Sequence, residues 1–497
     1  MNIIDNDLLS IQESRILVEN AYEAHKKLAT FSQEMLDKIV DAMIYEIENY
    51  IIDLAKMSNE ETEYGKYEDK CIKNSFVCKF LRQRLKGMKC IGIINEDKEN
   101  MTMDIGVPMG VIVAFSPSTS PISTTIYKAL IAIKSGNAII FSPHPRAKNT
   151  IFKALDILIK VAEENGLPEG ALSYLHNITP NGTNELIYHR YTSLIINTGV
   201  PNLLKTIYKS GKPLIYGGTG NGPAFIERTA DIRKAARDII DSKSFDNGIL
   251  SAAEQSIVVD SPIHYEVKKE LENYGAYFMS EEESDKLGVL FYNSDGLSNS
   301  EIVGKTAQEL AKRAGFIVDK TVKVLISQQK YVTSKNPYSK EKLCPVLAYY
   351  VEDDWMHACE KCIELLLNEK LGHTLIIHSR NEEVIRQFAL KKPVGRVLVN
   401  TPGVFGSMGA TTNLFPAMTL GSGSAGQGMT SDNVSPENLI YIRKVGYGVR
   451  NIEDVISLAA NKDSKITSNK NYSEGINSLE LMEIILKKLL DNNHKQI

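Results

Sequence analysis

The stretch Ser244-Phe245-Asp246-Asn247-Gly248-Ile249-Leu250-Ser251-Ala252-Ala253-Glu254-Gln255 stands between two runs of alternating strand and helix pattern. Before it, short apolar runs at 110–115, 138–141, 172–175, 193–197 and 214–216 read as buried strands, the first four followed by amphipathic helical patterns and the last by the glycine cluster 217–222. After it, runs at 256–259, 324–326, 375–378 and 397–400 repeat the arrangement. Short apolar strands alternating with helices predict parallel sheets covered on both faces. A loop at the junction of two such halves is where a cleft forms.

Outward from that loop, residues 10–90 carry helical spacing, with Leu36, Ile39, Val40, Met43 and Ile47 on one face. Residues 88–107 alternate around a polar centre and predict a projecting β-hairpin, and 440–446 predict a last strand able to pair with it. The expected layout is a nucleotide-binding domain from 1–87 and 108–243 and a catalytic-type domain from 244–430. An oligomerisation element from 88–107 and 431–450 completes the body, followed by a linker over 451–476. Residues 477–497 close the chain as an amphipathic helix, with Leu481, Met482, Ile485, Leu486, Leu489 and Leu490 in one stripe behind the cap Asn477-Ser478. A tethered helix of this kind docks on another surface or on its own body.

The 497 residues carry 57 basic and 61 acidic side chains, interspersed, for a net charge of −4; this excludes the basic stripe of a nucleic-acid binder. No run of 18 apolar residues is present, so no membrane span is expected. The N-terminus shows no basic and apolar leader pattern, and the expectation is a cytoplasmic protein. Six cysteines give no disulfide framework, and Cys359-Glu-Lys-Cys362 falls on a helical pattern without a second pair at metal spacing, so no metal is expected.

The central stretch resembles the F-D-N-G-x-x-C-x-x-E-Q nucleophile segment of the CoA-acylating aldehyde dehydrogenases. These include the aldehyde half of bifunctional alcohol/aldehyde dehydrogenases and the ethanolamine- and propanediol-utilisation enzymes. The resemblance covers roughly residues 10–450 and implies an aldehyde dehydrogenase-like α/β fold: a Rossmann-type nucleotide domain, an α/β catalytic domain and a small β oligomerisation element. It implies NAD or NADP as cofactor, coenzyme A as co-substrate, a small aldehyde as substrate and a homo-oligomer of at least two copies. Terminal peptides in this family resemble encapsulation tags, which makes a bacterial microcompartment shell protein an expected partner of 477–497 and the microcompartment lumen an alternative location.

By the same resemblance the catalytic positions are Ser251, Ser120 and His373. Ser251 stands where the family keeps its cysteine. A hydroxyl is a far weaker acid than a thiol and needs a partnered base. Ser120, in Ser116-Pro117-Ser118-Thr119-Ser120-Pro121, stands where P-T-T-N-P places an oxyanion-stabilising asparagine; one such donor is worth about 10²–10³ in turnover in other enzymes. Gly372-His373-Thr374 matches G-H-T and makes His373 an acid/base or CoA contact. Phe141-Ser142-Pro143-His144-Pro145-Arg146-Ala147-Lys148 matches S-P-H-P-R-A-K, assigning Ser142, His144, Pro145 and Arg146 to the nucleotide.

Thr198 and Gly199 open a helix after a strand, which suits a pyrophosphate. The glycines Gly218 and Gly220 permit close backbone approach, and residues 216–222 contain no carboxylate to activate water, which favours acyl transfer to a thiol. Glu341, in the E-K-x-x-P-V-L segment, is the implied ribose contact. Cys344 is not read as a substitute nucleophile. Ser422 replaces another family cysteine, as a wall residue. The expected activity is aldehyde + CoA + NAD(P)⁺ to acyl-CoA + NAD(P)H, impaired or lost because of Ser251. The alternative is a non-catalytic paralogue acting as a binding or structural partner in an oligomer or microcompartment.

Overall fold

The computed structural model describes residues 5–292, 299–368 and 372–464. The expected tail helix of 477–497 lies outside them, as does the later part of the expected linker. From Asn6 to Leu85 the chain is helical, as its spacing predicts. The helix Gln33–Glu48 begins at Ser32, whose hydroxyl accepts from the Met35 amide, and it buries Leu36, Ile39, Val40, Met43, Ile44 and Ile47. The cap satisfies one free amide and the i, i+3, i+4 stripe supplies the buried face.

Strands β1 (Gly92–Asp97) and β2 (Thr102–Pro108) form the expected hairpin. The next five strands are β3 (Val111–Ser116), β4 (Ala138–Pro143), β5 (Leu172–Tyr174), β6 (Thr192–Thr198) and β7 (Leu214–Gly217). They make an all-parallel sheet in the order β5-β4-β3-β6-β7. Every residue of β3 and β4 is buried, which is why these strands are continuously apolar rather than alternating. The helix Pro121–Lys134, between β3 and β4, is buried along its whole length. Its lysines are therefore satisfied inside: Lys128 Nζ donates to the Phe115 carbonyl at 2.5 Å, and Lys134 Nζ meets Asp37 at 2.5 Å. The chain builds outward from β3 to β5 and then returns to β6 on the other side of β3. The crevice beyond the carboxyl ends of β3 and β6 is thus a topological switch point.

The second sheet contains β8 (Pro223–Ile226), β9 (Ser256–Asp260), β10 (Ala276–Phe278), β11 (Val324–Gln328), β12 (Val346–Glu352), β13 (Thr374–His378) and β14 (Arg396–Val399). Its order is β10-β11-β12-β9-β8-β13-β14, again parallel throughout. This corrects the expected boundary at 243/244. β8 lies between β9 and β13, and the helix Ile232–Ser244 packs Ala235, Ala236, Ile239 and Ile240 on Ile257 and Val259 of the second core. The second sheet therefore begins just after the glycine loop, at Pro223. Four residues opening on proline give too little pattern to read as a strand.

β15 (Ile440–Gly446) completes a three-stranded sheet in the order β1-β2-β15, the arrangement expected of the hairpin element. By its internal contacts the chain separates into a large unit, reaching Asn95 and then running from Asp104 to Lys444, and a small one holding Glu96–Met103 and the chain from Val445. The small unit contains the helix Ile452–Ser464, where a linker is expected; Ile452, Val455 and Ile456 recur at helical spacing and Asp454 accepts from the Asn451 amide at 3.1 Å. Among the described residues no helix is long and apolar enough to cross a membrane.

Candidate active site

The passage from β7 to β8 takes five residues, 218–222, so the carboxyl edge of the first sheet is held beside the amino edge of the second. The segments singled out in the sequence lie along these two edges. Ser142–Arg146 and Thr198–Gly199 run off the carboxyl ends of β4 and β6, while Ser251, Glu341 and His373 precede β9, β12 and β13. The glycine loop forms the seam. Thr198 Oγ1 meets Thr419 Oγ1 at 2.8 Å, and the Gly199 amide donates to the Gly217 carbonyl at 3.3 Å. The Gln255 amide donates to the Gly222 carbonyl at 2.8 Å.

Ser251 Oγ lies 3.2 Å from His373 Nε2, so the structure brings the nucleophile position and the predicted histidine together. His373 Nδ1 is 2.7 Å from Thr374 Oγ1, and Arg396 Nη1 donates to the His373 carbonyl at 3.0 Å and to Thr374 Oγ1 at 3.3 Å. Burial, assisted by the Arg396 charge, pushes the His373 imidazole down to about 3. His373 is therefore neutral at physiological pH. In the tautomer that carries its proton on Nδ1, directed at Thr374 Oγ1, Nε2 is the acceptor for the Ser251 hydroxyl.

Gly220 packs directly on this residue: a Cβ there would sit 1.7 Å from the Ser251 carbonyl oxygen. The Gly220 amide donates to Glu341 Oε1 at 2.6 Å. A loop lacking a carboxylate of its own thus receives one from a segment 121 residues away. Gly218 is buried in the same turn, and the hydroxyls of Tyr216 and Thr219 are buried without a hydrogen-bond partner among the described residues.

At the first sheet's edge, Ser142 is buried with Oγ 3.5 Å from Thr183 Oγ1. His144 Nδ1 accepts from the Arg146 amide at 3.1 Å, capping the short turn Pro145–Ala147; burial and the Arg146 charge lower its pKa. The Arg146 guanidinium stacks over Tyr64 at 5.1 Å, with Glu301 at 3.9 Å. The helix after Gly199 is short, Leu204–Ser210, and is preceded by Pro201, which has no amide hydrogen to offer.

Ser120 is joined to the nucleophile loop by residues not singled out in the sequence. Its Oγ accepts from Lys73 Nζ at 2.8 Å, and Lys73 Nζ lies 2.5 Å from Asp246 Oδ2. Lys70 Nζ reaches the same carboxylate oxygen at 3.2 Å, and the Lys66 amide donates to Oδ1 at 2.7 Å. Burial pushes the Asp246 carboxyl up; the two lysines outweigh it and hold the carboxyl below its usual range. Burial pushes Lys70 down to about 8. Asp246 and Asn247 both take left-handed φ, 48° and 53°, and Gly65 is glycine because a Cβ would meet Asp246 Oδ1 at 1.8 Å. The acidic residue inside the quoted stretch was the available signal, but its partners on a distant helix left none.

Glu254 is fully buried, accepts from the Gly403 amide at 2.7 Å, and is pushed by burial up to about 7. Cys344 is buried, its thiol raised by burial to about 11, which leaves no thiolate at neutral pH. Ser422 Oγ donates to the Tyr216 and Gly426 carbonyls, both at 3.2 Å, a wall position. Cys359 and Cys362 are both buried on the helix Trp355–Asn368, and Cys359 Sγ accepts from Lys392 Nζ at 2.6 Å. Among the described residues no group of three His, Cys, Asp or Glu side chains is placed to hold a metal.

A profile of the aldehyde dehydrogenase family matches residues 9–411. The chain is similar to the bifunctional aldehyde-alcohol dehydrogenase AdhE of Escherichia coli strain K12, 37% identical over 448 residues, covering 89% of this chain and 50% of the relative. It is 33% identical to the succinate-semialdehyde dehydrogenase (acetylating) of Clostridium kluyveri, covering 88% of this chain and 96% of that one. The crystal structure of an acetylating aldehyde dehydrogenase from Geobacillus thermoglucosidasius superposes with a TM-score of 0.88 at 42% identity, covering 90% and 99% of the two chains. The chain spans about half the length of the bifunctional relatives it matches. Fold, profile and relatives agree: this chain belongs to the aldehyde dehydrogenase family, among its CoA-acylating members.

Proposed function

We propose that the chain is an attenuated CoA-acylating aldehyde dehydrogenase, converting an aldehyde, CoA and NAD(P)⁺ to an acyl-CoA with Ser251 in the nucleophile's place. The observation that carries this is the 3.2 Å approach of Ser251 Oγ to His373 Nε2. As Oγ adds to the aldehyde carbon, its proton passes to Nε2 and the carbonyl oxygen becomes the oxyanion. A base held at about 3 accepts that proton poorly. Serine is thus given a partner, but a weak one, and slow turnover follows.

The residues fit a dinucleotide. Thr198 and Gly199 lie at the switch point, Ser142, His144, Pro145 and Arg146 at the neighbouring strand end, and Gly218, Gly220 and Glu341 across the seam. Beside them the Tyr216 and Thr219 hydroxyls are buried without a hydrogen-bond partner among the described residues. A bound nicotinamide supplies the hydride acceptor. A propionaldehyde dehydrogenase from Rhodopseudomonas palustris, 26% identical with a TM-score of 0.79, was solved with bound CoA and an acylated cysteine. An engineered glycolyl-CoA reductase, also 26% identical, was solved with NADP⁺. Another similar structure is a propionaldehyde dehydrogenase from a Clostridium phytofermentans microcompartment; it supports the reading of 477–497 as an encapsulation segment.

An assay with small aldehydes, CoA and NAD⁺ or NADP⁺ on the chain and on Ser251→Cys tests this. A slow native rate and a large gain in the cysteine variant are expected. Fast turnover by the unaltered chain overturns the attenuation. No turnover by either favours the second reading, a non-catalytic partner, which the weak base at Ser251 also supports.

A further inference from the structure

Lys73 is almost wholly buried, and its ammonium has three neighbours: Asp246 Oδ2 at 2.5 Å, Ser120 Oγ at 2.8 Å and the Thr119 carbonyl at 3.4 Å. An ammonium has three protons and no lone pair, so it is the donor in each contact. Ser120 Oγ is therefore an acceptor toward Lys73, and its own proton points elsewhere. Ser120 occupies the N-cap of the helix Pro121–Lys134 yet makes no capping hydrogen bond with its side chain.

We infer that Lys73 is a positioning residue for the reaction at Ser251: by donating to Ser120 Oγ it turns the serine hydroxyl into the hydrogen-bond donor for the developing oxyanion. This rests on the reading of Ser120 as the oxyanion residue. A hydroxyl alone rotates freely between donor and acceptor roles, whereas one receiving an ammonium proton on one lone pair turns its single O–H away from that partner and is polarised as a donor. Asp246 supplies a counter-charge that Lys73 shares with Lys70, and it fixes the lysine that directs the donor. The same carboxylate lies five residues before Ser251 in the chain, so oxyanion donor and nucleophile are set by one rigid loop.

The test is a double-mutant cycle. Ser120→Ala, Lys73→Met and the pair are made in the native chain and with Ser251→Cys, and kcat and KM are measured with aldehyde, CoA and NAD⁺. Each single change is expected to lower kcat about 10²-fold, the scale of one oxyanion donor, with KM for NAD⁺ within about twofold. The pair is expected to be no slower than the slower single variant. An unchanged kcat in Lys73→Met, or losses that multiply in the pair, overturns the inference. If Lys73→Met does not fold, Lys73→Arg retains the ion pair and displaces the donor; it should lower kcat in the native background and add nothing to Ser120→Ala, and any other pattern counts against the inference.

Butyrate titrated calorimetrically into the NADH-bound protein gives a readout independent of turnover, its carboxylate standing in for the oxyanion. Affinity should fall about tenfold in Lys73→Met and in Ser120→Ala. Equal affinities, or no binding by the native chain, overturn the inference. Butyrate binding that depends on Lys73, in a protein inactive both in its native form and as Ser251→Cys, would uphold it while defeating the proposed activity.

Discussion

Gly220 leaves no space for a side chain: its Cβ would lie 1.7 Å from the Ser251 carbonyl oxygen and 3.1 Å from Glu341 Oε1. The backbone of the glycine loop and that of the nucleophile loop are thus in mutual contact, and the Gly220 amide is at the same time held by Glu341. Gly220→Ala must push Ser251 away from its position. The expected result is a loss of about 1–3 kcal/mol of stability, the scale of overpacking, together with the loss of any Ser251-dependent turnover. Thermal melting and the aldehyde assay in the Ser251→Cys background would register both; a fully active, equally stable alanine variant would contradict the packing.

Glu254 has a folded-state pKa of about 7 against an ordinary 4.5, so the folded state binds a proton that the unfolded state has released. Its contribution is fully present below pH 4.5 and is lost as pH rises through about 7. Glu254→Gln should remove that decline and hold stability flatter between those values, by an amount on the order of 1–3 kcal/mol. Denaturant titrations at intervals across that range are the measurement. A wild-type and variant pair with parallel pH profiles would show that Glu254 does not titrate there.

His373 and His378 act with the opposite sign. Both are held at about 3 by burial, so the unfolded state takes up protons below 6.5 that the folded state refuses. Stability from these two groups is present above pH 6.5 and is lost as pH falls toward 3. In nuclear magnetic resonance spectra of the folded protein, neither imidazole should shift between about pH 5 and pH 8. A His373 resonance titrating near 6.5 would make it a competent base and would remove the physical reason for slow turnover.

Residues 477–497, fused to a fluorescent reporter, should co-purify with microcompartment shell proteins, whereas the body ending at residue 464 should not. Absence of capture, with 477–497 protected from proteolysis only when attached to its own body, would assign the segment to packing on this chain.

Much of the fold was legible because parallel strands buried on both faces are continuously apolar. All five strands of the first sheet were anticipated within a residue or two. β8 was not, being four residues with proline first, and neither was β10, of three residues. β12 was also missed as a strand, since only its first two residues drew notice, at the end of the E-K-x-x-P-V-L segment. The helix Ile452–Ser464 was hidden by polar composition, since only one side carries the apolar residues. At the site, Ser251 and His373 carry motif signals and lie 3.2 Å apart, whereas Lys73, Lys70 and Arg396 carry none. An ion pair between Lys73 and Asp246 joins residues far apart in the chain, and no local pattern encodes such a partner. The absence of a carboxylate in 216–222 was read correctly along the chain but was incomplete in space, because Glu341 folds onto Gly220.

The left-handed turn at Asp246 and Asn247 has a consequence for the order in which the molecule is assembled. That conformation costs energy in a free chain and is held here by the Lys66 amide and the ammonium groups of Lys70 and Lys73. The reacting loop therefore takes its final form only after chain segments remote in sequence have met, which places its completion late in folding. A fragment starting at Pro223 would carry every strand of the second sheet and still lack a set reaction centre.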